Sequence, residues 1–236
     1  MIYELFSFLG NVPGARLMNY ISFRAIVAGV MGLCISIWVG KWFIQLLKRK
    51  NISETQRDEK IDPFNVAKKG VPTMGGVVII AAMLVPCILL GKLSNVYMIL
   101  MLITTLILGA LGFADDYIKT FRGNKEGLNG WVKIAGQITL GLIVGLTLRY
   151  SPEATMHERV TSHIENNITV FEKSSEVKST RTTIPFVKEH NFNYADMFSF
   201  LGEGGKYRAG WIFFVILTIF VVAAVSNGAN LNDGMD

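Results

Sequence analysis

Apolar residues fall in five long runs, about 21–47, 74–91, 96–114, 131–148 and 209–229. Each approaches the roughly 20 residues that cross a hydrocarbon layer about 30 Å thick. A soluble core helix would interpose polar residues at every third or fourth position, and these runs do not. The pattern predicts an all-α, polytopic membrane protein with about five transmembrane helices. Between the fourth and fifth runs lies a polar insertion, about 149–208, whose Ser- and Thr-rich stretches show no helical periodicity. Loops, short strands or partly disordered stretches are expected there. The first twenty residues lack the basic start, compact apolar core and small-residue site of a cleaved leader.

Charge then orients the runs. The net charge is +5 over 236 residues, yet the bases do not gather into a nucleic-acid-binding domain. Lys48, Arg49, Lys50, Arg57, Lys60, Lys68 and Lys69 crowd one loop, and Lys119, Arg122 and Lys125 another, while the turn at 91–95 holds one lysine. Under the positive-inside rule the two basic loops face the cytoplasm. The N-terminus and the long insertion are then expected outside. Cys34 and Cys87 lie within runs and lack metal-ligand spacing, so they read as small buried residues. His157, His163 and His190 form no ligand pattern.

This topology brings three polar patches to one face: Lys68–Gly76, Asp115–Lys119 with Lys133, and Asn227–Asp236. An acid costs roughly 2.5–3.5 kcal/mol at the centre of a membrane helix and less near the interface. Asp115 and Asp116 therefore mark either a functional site or the point where a helix leaves the bilayer. Helix N-termini favour anions and C-termini cations. The two acids stand at the end of the third run and Lys133 at the start of the fourth, against both dipoles, an arrangement that suits charges facing a ligand. If the helix continues, Asp115 and Lys119 share a face and Asp116 points about 100° away. A hard divalent cation such as Mg²⁺, bound through carboxylate, water and phosphate, would relieve repulsion within the acid pair.

In the last patch Asn227, Asn230, Asp233 and Asp236 recur every third residue, drifting about 60° per step on an α-helix. Gly228 and Gly234 favour a helix end or loop. Such amides and carboxylates suit directed hydrogen bonds to a sugar or base; an ordinary polar cap is the alternative. Lys68, Lys69 and Thr73 precede an inward-facing helix start, where phosphate binds readily. Gly75 and Gly76 equally suit close helix packing.

Taken together, Val71-Pro72-Thr73-Met74-Gly75-Gly76, Asp115-Asp116-Tyr117-Ile118-Lys119, Gly127-Leu128 followed by Lys133 and Gln137, and Asn230-Leu231-Asn232-Asp233-Gly234-Met235-Asp236 resemble the bacterial phospho-N-acetylmuramoyl-pentapeptide transferases (translocase I). The resemblance implies the N-terminal half of a ten-span, Mg²⁺-dependent enzyme of the bacterial cytoplasmic membrane. Such an enzyme moves phospho-N-acetylmuramoyl-pentapeptide from its UDP carrier to undecaprenyl phosphate, giving lipid I and UMP for peptidoglycan. It further implies that Asp115 activates the lipid phosphate and Asp116 organises the metal, the main metal ligand lying in the other half. Lys119 and Lys133 match basic active-site residues, and Lys68, Thr73, Asn230, Asp233 and Asp236 match positions around the nucleotide. A homodimer is compatible with it.

Two departures accompany the resemblance. The 149–208 insertion is longer than the family's loop there. The chain also stops within its last motif, so the 236-residue polypeptide alone is expected to be inactive. Two other readings remain open: a transferase using UDP-N-acetylglucosamine, and a transporter whose Asp115–Asp116 pair binds a translocated cation.

Overall fold

The structure, a computed structural model, describes residues 15–49, 74–122, 127–160, 164–165, 168–169, 172–183 and 191–233. Its helices are α1 (Ile21–Arg49), α2 (Gly76–Leu90), α3 (Val96–Phe121), α4 (Gly130–Tyr150) and α5 (Gly202–Asp233). Four of them, all but α2, are long and apolar enough to cross a membrane. Their large apolar side chains are widely exposed, Trp38 at 82% and Met101 at 68%. Such surface is stable against lipid and unstable against water. The protein is a multi-pass membrane protein.

Sequence chemistry sets the helix ends. The Asn95 side chain accepts hydrogen bonds from Tyr97 N (2.8 Å) and Met98 N (3.3 Å), starting α3 with an N-cap of a strongly preferred type. The Asn129 side chain likewise accepts from Trp131 N at 3.0 Å at the start of α4. Lys48 and Arg49 close α1 with charges that favour its negative end. α2 is the exception. It has 15 residues and no side-chain cap at Gly75, so it extends about 22 Å and falls short of a full crossing. The expectation of about five spans thus meets, among the described residues, four long helices and this shorter one.

The chain forms two compact units, Met1–Gly136 and Gln137–Asp236. In the first, α1 packs on α2 and α2 on α3. Pro86 lies inside α2, and having no N–H it leaves the Ala82 carbonyl without its helical donor. A Cβ at Gly32 of α1 would stand 2.9 Å from that oxygen. Gly32 therefore permits a close approach where the ladder is interrupted. Gly109 of α3 meets Ile80 of α2, and Gly136 of α4 meets Leu111 of α3, with similar closeness.

In the second unit α4 and α5 pack through small residues. A Cβ at Gly141 would come within 2.6 Å of the Ile219 backbone, and one at Gly145 within 3.2 Å of Val215. Leu140 beside them is fully buried. Close approach over glycine is a common means of associating helices in lipid, where the hydrophobic effect offers no drive between them.

The insertion is built from short antiparallel pairs: β1 (Met156–Val160) with β4 (Glu172–Val177), β2 (Ile164–Glu165) with β3 (Ile168–Thr169), and β5 (Arg181–Thr183) with β6 (Asn191–Asn193). A 3₁₀ helix, Tyr194–Leu201, follows and packs on α5. There Tyr194 meets Phe213 and Phe214, and Ala195 seats against Gly210. Asn193 organises the corner, accepting from Thr180 Oγ1 at 2.8 Å and Ala195 N at 3.2 Å.

Two sequence expectations change. The apolar run ends at Ala114, but α3 continues to Phe121, so residues 115–121 are helical rather than loop. Gly228 likewise does not end α5, which runs through the last polar patch to Asp233. In both places a helix already supported by an apolar stretch propagates through polar residues, each added residue completing one more backbone bond.

Candidate functional site

Asp115 is 6% exposed, one of the few buried polar side chains among the described residues. Both of its carboxylate oxygens are engaged. Lys119 Nζ lies 2.7 Å from Oδ2, and Lys133 Nζ lies 2.7 Å from Oδ1. The Leu128 N–H also donates to Oδ1 at 2.7 Å. Three segments converge on one acid: its own helix one turn on, the first turn of α4, and the turn before α4. Distances this short mark charge-assisted bonds.

Gly127 shapes the turn. Its φ is +73°, in the left-handed region, and a Cβ there would overlap the Asp115 carboxylate and press on Lys119 Cε. Glycine alone combines that backbone conformation with that space. The next N–H is thereby aimed at Oδ1. The sequence placed Gly127-Leu128 within a motif but gave no sign of this contact, which joins residues of separate elements.

The continuation of α3 corrects the dipole argument. Asp115 lies in the penultimate turn rather than at the helix end, and Lys119 occupies the last turn with the favourable sign. The charges placed against the dipoles, Asp115 and Lys133, face each other. Asp116 is half-buried and rotated about 100° from Asp115. The structure thus brings Asp115, Lys119 and Lys133 together.

The other sequence candidates are placed differently. Lys68, Thr73 and Asp236 lie outside the described residues. Asn230 is exposed on the last turns of α5, and Asp233 is the final residue of that helix. Met74, the first described residue after 73, is buried with φ of 66°, a conformation uncommon outside glycine. Among the described residues there is no group of three or more His, Cys, Asp or Glu side chains able to hold a metal.

A second polar cluster lies within the Gln137–Asp236 unit. Gln137, 4% exposed, donates through Nε2 to Ser226 Oγ at 3.1 Å and to Asn227 Oδ1 at 3.2 Å. Asn227 Nδ2 returns a bond to Gln137 Oε1 at 3.2 Å. Paired amides satisfy one another where hydrocarbon would leave them without partners. Asn227 was expected in the polar patch; its reciprocal bond to Gln137 was not.

The helices define a multi-pass membrane protein with a buried acid held by two lysines, an arrangement suited to anionic groups. Residues 98–236 match glycosyl transferase family 4, and the chain belongs to that family. Over its whole length it is 61% identical to a protein of Bacteroides fragilis named phospho-N-acetylmuramoyl-pentapeptide-transferase, covering 56% of that relative. Proteins of the same name from Bacteroides thetaiotaomicron and Porphyromonas gingivalis are 59% and 47% identical, again across the whole chain and 56% and 57% of theirs. The chain spans about half the length of the curated relatives it matches.

Proposed function

We propose that the protein acts as a phospho-N-acetylmuramoyl-pentapeptide transferase, carrying the sugar phosphate from UDP to undecaprenyl phosphate and releasing UMP. The observation that carries this reading is the match of the whole chain, at 61% identity, to a relative of that name. The Asp115–Lys119–Lys133 cluster supports it, because phosphoryl transfer depends chiefly on positioning and on stabilising charge.

In the reaction a phosphate oxygen of the lipid attacks the sugar-bearing phosphorus of the diphosphate. A new P–O bond forms, the bond to the UMP oxygen breaks, and the electron pair leaves with UMP. Lys119 and Lys133 stabilise the negative charge on the phosphate oxygens. Asp115 fixes where those ammonium groups stand before the phosphates arrive and, as the resemblance implies, activates the lipid phosphate. Asn230, Asp233 and Asp236, with Lys68 and Thr73, hold the nucleotide.

Magnesium belongs to the proposal. Mg²⁺ commonly takes one or two carboxylates and completes its octahedron with water and substrate phosphates, so a three-ligand protein cluster is not required. Asp115 pairs with two lysines, and the family resemblance points to Asp116 as the residue of the pair that would hold the metal. When bound, the ion would neutralise diphosphate charge. The proposal places the site on the cytoplasmic face of a bacterial cytoplasmic membrane, with the N-terminus outside.

The test is transfer by the natural-length gene product in membranes supplied with undecaprenyl phosphate and Mg²⁺. Donors are UDP-N-acetylmuramoyl-pentapeptide and, separately, UDP-N-acetylglucosamine. Product from the first donor alone is expected, with Asp115→Asn lowering the rate on the order of 10²-fold or more at unchanged membrane insertion. Product from the second donor alone would overturn the substrate assignment, and wild-type turnover by Asp115→Asn would overturn the role of the cluster.

A further inference from the structure

Asp115 is held in a manner that bears on how a phosphate enters. Oδ1 accepts from Lys133 and the Leu128 N–H, and Oδ2 from Lys119. With an ammonium group on each oxygen, the carboxylate's charge is balanced by the two lysines in the resting site. The partners differ in freedom. The Asp115 side chain is 9% exposed, against 24% for Lys133 and 40% for Lys119. The acid is the fixed inner member, and the two ammonium groups, on flexible stems, are the outer ones.

The turn keeps the acid in place independently of the lysines. The Leu128 N–H is a backbone donor, and Gly127 at φ of +73° leaves no room for a side chain against the carboxylate. If both lysines swing outward, Asp115 retains this bond. The two lysines and one aspartate carry a formal charge of +1, attractive to an anion before any exchange.

We propose that the cluster is an anion-exchange site, in which an incoming phosphate group replaces Asp115 as the partner of Lys119 and Lys133. This rests on the phosphoryl-transfer reading above and extends it to the resting state. Phosphate has oxygens enough to bind both ammonium groups, and the displaced carboxylate remains on the Leu128 N–H. Asp115 therefore competes with the ligand. Removing its charge while keeping its shape should tighten phosphate binding although transfer is lost. A residue needed only for fold integrity would not produce that split.

The experiment titrates the natural-length protein, purified in detergent, with farnesyl phosphate and separately with UMP. Asp115→Asn is expected to bind at least one of them about five- to tenfold more tightly than wild type, the size of a like-charge term at partly screened close range. The gain should vanish in Asp115→Asn with Lys119→Met and Lys133→Met added. Tightening with farnesyl phosphate alone assigns the exchange to the lipid phosphate, and tightening with UMP alone to the nucleotide phosphate. Tightening with neither overturns the proposal, as does a gain that persists without the lysines. Lys119→Met, which alters a substantially exposed side chain, gives a second reading; affinity for both ligands equal to wild type would also overturn the exchange. Failure of the transfer assay above would instead overturn the functional reading, because these titrations require no turnover.

Discussion

Lys133 Nζ stands 2.7 Å from Asp115 Oδ1, joining the first turn of α4 to the penultimate turn of α3. The Lys119 contact to the same acid is equally short but lies within one helix, four residues apart. The two pairs look alike in distance and differ in consequence, since only the first ties separate elements together.

Lys133→Met should therefore destabilise the protein more than Lys119→Met. Breaking a fully buried pair costs roughly 3–5 kcal/mol, and the partial exposure of Lys133 lowers the expectation to about 1–3 kcal/mol. The more exposed Lys119 pair belongs with surface bridges, at about 1 kcal/mol or less. Thermal unfolding of both variants in one detergent compares them, and an equal loss would refute the distinction.

Gly127→Ala combines a left-handed φ with an overlap on the Asp115 carboxylate. We expect a loss of about 1–3 kcal/mol together with a fall in transfer rate, as the Leu128 N–H shifts away from Oδ1. Gly130→Ala, where a Cβ meets nothing within 4 Å, is the control and should do neither. Unfolding midpoints and initial rates on the two variants decide it.

The Gln137–Asn227 amide pair should appear as coupling. Gln137→Leu leaves the Asn227 amide without its Gln137 bonds and Asn227→Leu leaves Gln137 only its bond to Ser226, whereas the double variant removes both amides. A double-mutant cycle on unfolding free energy should give an interaction of about 0.5–2 kcal/mol. A coupling indistinguishable from zero would show that the bonds add nothing to the α4–α5 pairing.

Small-residue packing gives a ranked expectation. Gly141→Ala would press a methyl group to within 2.6 Å of the Ile219 Cα, while at Gly145 the nearest atom is a Val215 side-chain carbon at 3.2 Å. Backbone cannot yield as a rotamer can, so Gly141→Ala should cost about 1–3 kcal/mol and Gly145→Ala less. The reverse order in unfolding measurements would contradict the packing described here.

The long helices were legible because a membrane leaves few options: about 20 apolar residues must satisfy their backbone internally. Their ends were less so. Asp115–Phe121 and Ser226–Asp233 are polar or mixed, and hydropathy does not register that a helix already formed continues through them. The Asp115–Lys119 contact followed from four-residue spacing. Lys133, Leu128 and the Gln137–Asn227 pair did not, because each bond joins residues of different elements. Short strands were expected in the insertion, but their pairing was not legible for the same reason: a strand such as Arg181–Thr183 declares its partner only in the fold.

α5 runs 32 residues without interruption, about 48 Å, some 18 Å more than the hydrocarbon layer. Its glycine-packed stretch beside α4 and its polar end are therefore one rigid body with a single rotational phase. Adding one residue between Ile219 and Ser226 would turn Asn227, Asn230 and Asp233 by about 100° relative to that packed stretch. The count of residues along α5, as much as their identity, determines which face of the helix Asn227 and Asn230 occupy.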